Sequence, residues 1–206
     1  MTNVLGYSPG ERIVVVDPTG NYFDALDGEI TERDTGSKAL IVTPGELDRG
    51  TYVYPAGPYF MRPTDDEDQG AEWTTPIWSK LDEVTPSDSD YTTATLFQFE
   101  MDDFRVGLST PDAEPIINTD HFIRVRLRHE AGSTATWNVW LRQGGSVRAS
   151  FSPMSSTSFA TYEYELTTGQ AAAITDYSDL NIRVQALEES EGGHDFDVSW
   201  IEFEVP

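Results

Sequence analysis

Apolar and polar residues alternate one by one over much of the second half of the chain. In Phe122-Ile123-Arg124-Val125-Arg126-Leu127-Arg128, the apolar Ile123, Val125 and Leu127 share one face and the arginines share the other. A period of two marks a half-buried β-strand, because successive side chains point to opposite faces of a sheet. Ala135–Arg142 repeats the pattern, with Ala135, Trp137, Val139 and Leu141 on one side. Gly144-Gly145 supplies a turn, and Ser146–Phe151 reads as the return strand of a hairpin.

The same reading extends in both directions. Thr92–Phe99, Asp102–Leu108, Phe159–Leu166 and Leu180–Ala186 are further strands. Phe196–Val205 changes face partway: Phe196, Val198 and Trp200 alternate, then Ile201, Phe203 and Val205 take the other parity. Such a switch predicts a β-bulge or a change of sheet. Helical periodicity is confined to the short Thr167–Ile174, with Thr168 as its expected cap. Short strands at this spacing predict an all-β protein, an antiparallel jelly-roll β-sandwich over residues 71–206. Its inward positions are expected to be Ile123, Val125, Leu127, Trp137, Val139, Leu141, Ile182, Val184 and Val198.

The N-terminal part is different. Arg12–Val16, Lys38–Thr43 and Thr51–Tyr54 are short strand candidates separated by Pro/Gly turns. They predict a small β-unit over residues 1–70, too poor in apolar residues to stand alone, which would anchor the protein to a partner. The run Arg62–Gly70 lacks apolar residues and reads as an acidic linker closing that unit.

Charge narrows the function classes. The chain carries 36 acidic and 13 basic residues, a formal charge of −23. Affinity for a nucleic-acid backbone comes from basic side chains, so no nucleic-acid partner is expected. Anionic membrane surfaces are disfavoured for the same reason, and no stretch approaches the length of a membrane span. The Met1–Gly6 start has neither a basic region nor an apolar one, so no secretion signal is expected. High negative charge suits a protein displayed in many copies. With no cysteine, neither disulfides nor thiolate metal sites are available.

Candidate chemistry is sparse. The adjacent acids Asp65-Asp66-Glu67-Asp68 lack the alternation and distal glutamate of a calcium loop and fit a solvated linker better. Asp88 and Asp90 are spaced to converge from one loop on a structural Ca²⁺, although an Asx-turn explains the same residues and is the better fit. Otherwise no cofactor is expected. The histidines His121, His129 and His194 form no zinc-binding spacing, and neither a nucleophile elbow nor a phosphate-binding loop occurs. The chain is therefore read as a non-enzyme. Trp73, Trp78 and Trp140 are candidates for a sugar-stacking platform, Trp140 lying on the face opposite Trp137 and Val139. An outward tryptophan serves an oligomer interface as well. Arg124, Arg126, Arg128, Arg142, Arg148 and Arg183 all fall in predicted strands. They read either as a patch for an acidic partner or as cross-strand partners of acids such as Glu163 and Glu165, the second being the better fit.

Residues 73–206 also carry a resemblance. Its segments are Trp73–Glu83, Ser87–Tyr91, Ser158–Tyr162, Ala171–Arg183 and Val198–Pro206. In these the chain resembles a recurring C-terminal module of virion structural proteins of tailed bacteriophages, with a carbohydrate-binding-like jelly roll. The resemblance implies a viral structural role without catalytic residues. It leads to the expectation of a capsid decoration or cement protein at the virion surface. Its partners would be the major capsid protein or other virion proteins, and a homo-oligomer is expected. The alternative is a glycan- or receptor-binding module of a head or tail fibre, contacting host surface glycans.

Overall fold

The computed structural model describes residues 58–111, 115, 119–154 and 156–206, together with the backbone of four earlier strands. Contacts divide the chain into two compact units, Met1–Pro58 and Tyr59–Pro206. In the first, β1 (Val14–Val16), β2 (Tyr22–Leu26), β3 (Glu29–Glu32) and β4 (Tyr52–Tyr54) form an antiparallel sheet in the order β3-β2-β1-β4. Strands β1 and β4 fall within predicted segments. The predicted strand Lys38–Thr43 lies outside the described residues.

The second unit is a jelly roll of two antiparallel sheets. Its strands are β5 (Tyr59–Met61), β6 (Pro63–Asp68), β7 (Thr92–Phe97), β8 (Met101–Leu108), β9 (Phe122–His129), β10 (Ala135–Gln143), β11 (Ser146–Phe151), β12 (Ala160–Glu165), β13 (Leu180–Glu188) and β14 (Gly193–Val205). One sheet runs β11-β10-β13-β8-β6. The other runs β12-β9-β14-β5, and β7 also pairs with β14.

Alternation decides what lies between the sheets. Every position expected to face inward is buried, from Ile123 on β9 to Val198 on β14. The change of parity in β14 is a bulge. Its register against β9 slips between Val198 and Trp200, so Val198 faces Leu127 and Ile201 faces Val125. The extra residue brings Ile201, Phe203 and Val205 onto the inner face already occupied by Phe196 and Val198. Trp200 is thereby turned outward, and the chain before β7 covers it: its Nε1 donates to the Glu83 carbonyl at 2.8 Å.

Two expectations change. Arg62–Gly70 is no linker. Pro63–Asp68 is the edge strand β6, paired with β8 through Asp65–Gly107, Asp66–Val106 and Asp68–Arg105. The boundary between units therefore falls before Tyr59 rather than after residue 70. The acids of β6 have structural partners. Asp66 accepts from the backbone N–H groups of Ile77 (3.1 Å) and Trp78 (2.7 Å), and Glu67 lies 2.9 Å from Arg105. Asp65 packs where only a glycine leaves room, since a Cβ on Gly107 would come within 2.2 Å of its Oδ1. An edge strand rich in carboxylates also resists pairing with another sheet edge.

The second change concerns the helix Thr168–Ala172, which is capped by Thr167 and not Thr168. Thr167 keeps an extended backbone, its Oγ1 accepts from Gln170 N, and the Gln170 side chain accepts from Thr167 N. This reciprocal pair is a capping box, and it requires the cap to lie outside the helical turn.

Candidate functional site

The two outer faces of the sandwich are chemically unlike. On the β9 sheet, Arg124, Arg126 and Arg128 alternate outward and each is engaged. Arg124 meets Glu163 at 2.7 Å, Glu202 at 3.3 Å and also Glu204. Arg126 makes a bidentate pair with Asp88 at 2.6 and 2.7 Å, and Arg128 reaches Asp197 at 2.8 Å. The Arg128 guanidinium also lies 4.4 Å from the centre of the Phe159 ring. This face is the cross-strand network expected of strand arginines, and little of it is left to hold a ligand.

The same network claims the expected calcium ligands. Arg126 takes both oxygens of Asp88 and holds its carboxyl below the ordinary range, chiefly through the side-chain hydrogen bond. Asp90 instead pairs with Lys80 at 2.6 Å. The two aspartates thus serve different cations, and no metal-binding cluster occurs among the described residues.

The expected tryptophan platform does not assemble either. Trp73 is a core residue, 4% exposed, edge-on to Phe104 at 4.8 Å and tilted against Trp137 at 6.5 Å. It precedes the alternating segments, so its orientation had no periodic signal. Trp78 sits in a single turn, Trp78–Lys80, and packs half-buried against the core. Trp140 alone of the three points outward from a sheet, because Val139 and Leu141 on either side of it are buried.

Trp140 is the centre of the second face. In register across the β11-β10-β13-β8 sheet stand Ser150, Trp140, Arg183 and Arg105. The next row outward holds Asn138, Gln185 and Asp103. Arg183 lies over the indole, 5.1 Å from its centroid, and Asp103 fixes it by hydrogen bonds of 2.6 and 2.7 Å. This bidentate contact is the main reason the Arg183 guanidinium holds its proton more tightly than usual. On the other side, the neighbour of the indole is the small, exposed Ser150. One flank of the ring is therefore uncovered. The amides form a chain, Ser152 donating to Asn138 at 2.8 Å and Asn138 to Gln185 at 3.4 Å.

Beside the indole lies a polar cleft of about 240 Å³ lined by Asp68, Asp103, Arg105, Arg142 and Arg183. The strands β6, β8, β10 and β13 each contribute. Near it, burial pushes the Glu67 carboxyl up, against the pull of Arg105. Cleft and ring together offer an apolar plane bordered by rigidly held donors and acceptors. That combination is chemically suited to stacking plus directed hydrogen bonds.

No protein-family model matches the sequence, and no curated protein does. Solved structures with a similar arrangement of strands include the glycoside hydrolase domain of Endo-D from Streptococcus pneumoniae R6. It is 10% identical over 71% of this chain and 21% of that one, with a TM-score of 0.37. Another is the carbohydrate-binding module CBM61 in complex with beta-1,4-galactotriose, 10% identical over 70% of this chain and 87% of that one, TM-score 0.33. A third is the enzymatically active domain of tailspike protein 4 from bacteriophage CBA120, 12% identical over 70% and 19%, TM-score 0.36. The chain spans about a fifth of the length of the first and third.

Proposed function

We propose that the unit Tyr59–Pro206 is a glycan-binding module that holds its ligand against Trp140 on the outer face of the β11-β10-β13-β8-β6 sheet. The observation that carries this is the half-exposed indole, with Arg183 over it, standing beside a cleft of charged side chains that Arg183 also lines. A pyranose ring has apolar C–H patches and hydroxyls that both donate and accept. The indole flank next to Ser150 suits the first. Asp68 as acceptor and Arg142 and Arg183 as donors suit the second. Asp103 holds Arg183, and the Gly145 carbonyl holds Arg142, before binding, which lowers the ordering cost. A purely architectural decoration protein would have no use for such a cleft, so ligand binding is the reading favoured here over shell decoration. The module acts by binding, without turnover.

Its setting, on this reading, is the surface of a tailed-phage virion, with other virion proteins as partners and a bacterial surface glycan as ligand. The resemblance of Trp73–Glu83 and Val198–Pro206 to phage virion modules supports it, as does the charge of −23, which favours dense display. Immunogold labelling of particles tests the location.

The binding claim is tested by a bacterial-glycan array probed with the protein and with Trp140→Ala. The expected result is binding to a limited set of glycans, weakened about tenfold or more in the variant. Binding to no glycan, or equal binding by the variant, would refute the assignment.

A further inference from the structure

In a chain with 36 acidic and 13 basic residues, a guanidinium should meet a carboxylate almost wherever it lies. Arg62, Arg105, Arg124, Arg126, Arg128 and Arg183 each do so within ion-pair distance. Among the described residues, Arg142 and Arg148 have no carboxylate at that distance. Arg142 donates to the Gly145 carbonyl at 2.7 Å through Nη2, while its Nε is shielded from water without a partner. The Nε of Arg148 is shielded and unpartnered in the same way.

The two residues adjoin. The β10–β11 register slips between Leu141 and Arg142, and Arg142 faces Val147, so Arg148 is the extra residue of a bulge. Ala149, the next residue, is buried, so Arg148 takes the outer face together with Arg142. Asp68 and Asp103 enter the cleft from β6 and β8, and Arg142 enters it from β10. With no carboxylate in ion-pair contact among the described residues, the two guanidinium groups form a fork that an oxyanion can engage.

Resting on the glycan-binding reading, we propose that the ligand is an anionic glycan, whose carboxylate or sulfate docks on Arg142 and Arg148 while a sugar ring lies on Trp140. The acids of β6 and β8 then accept hydroxyls at the far end of the cleft. The net charge of the chain does not forbid this. Physiological salt screens exposed charges beyond about 8 Å, whereas a direct contact is screened far less.

The test uses an array of matched pairs: uronic-acid oligosaccharides with their carboxyl-reduced counterparts, and sulfated oligosaccharides with their desulfated forms. The protein and the double variant Arg142→Gln/Arg148→Gln are compared. The protein is expected to bind the anionic member of a pair about tenfold tighter, and the variant to lose that ratio, which is the readout because Arg142 also donates to the hydroxyls of the neutral member. Preference within the uronic-acid pairs identifies a carboxylate ligand, and preference within the sulfated pairs identifies a sulfate ligand. Equal binding of both members by the protein would overturn the anion site and leave the glycan-binding reading standing. A preference that persists in the double variant would also overturn it. Binding to no member of any pair would remove both.

Discussion

Replacing Trp137 with alanine is expected to lower the stability of the unit Tyr59–Pro206 by about 3–5 kcal/mol. Trp137 is 1% exposed and lies between the sheets, edge-on to Phe196 of β14 at 5.3 Å and tilted against Trp73, which in turn meets Phe104 of β8. The chain of rings crosses from one sheet to the other, so truncation removes buried area and leaves a cavity that stiff strands fill poorly. Trp140 supplies the internal comparison. It is the same residue type on the same strand, but it faces outward, and Trp140→Ala should cost under about 1 kcal/mol. Urea unfolding followed by circular dichroism measures both. A similar cost for the two substitutions would contradict the assignment of faces on β10.

The second large effect is on acid stability. Glu188, at the end of β13, is fully buried. Burial pushes its carboxyl up. The Ser190 hydroxyl and the backbone N–H groups of Ser190 and Thr134 outweigh this and bring it down to about 2. The Ser190 backbone N–H lies 2.7 Å from Oε1, and His194 Nδ1 lies 3.0 Å from Oε2. With a depressed folded-state value, the unfolded chain takes up the proton first. The contribution is complete above about pH 4.5 and is lost as pH falls toward 2. It amounts to about 3 kcal/mol. Unfolding free energies of the protein and of Glu188→Gln, measured from pH 6 to pH 2, isolate it from the other carboxylates. The protein should lose about that much more than the variant on acidification. Parallel curves would show that Glu188 is not held as its partners imply.

Strands β7 to β14 of the sandwich were legible because one face met the core, whereas the three-residue β5 was too short to show a period. Ile123, Val125 and Leu127 alternate with arginines because burial on β9 selects every second residue, and even the bulge in β14 left its trace as a change of parity. Strand β6 was not legible. Its acids alternate with nothing apolar, and its place at the sheet edge depends on β8, about forty residues away. Asp88 and Asp90 failed as a pair for a related reason. Local spacing brings them together, but Arg126, 38 residues on, takes Asp88. Of the candidate site, the outward aim of Trp140 followed from its buried neighbours on β10. The cleft did not follow, because Asp68, Asp103, Arg105, Arg142 and Arg183 come from four strands and meet only through the sheet order.

The claim that this face is where the molecule meets its ligand is tested most directly by chemical-shift mapping. Isotopically labelled protein would be titrated with an oligosaccharide selected from the array. Perturbations confined to the Trp140 indole N–H, the Asn138 and Gln185 amides and the Arg142 and Arg183 guanidinium groups are the expected result. Perturbations centred elsewhere, for instance on the exposed turn between β7 and β8 at Phe97, Phe99 and Met101, with the Trp140 face silent, would contradict it.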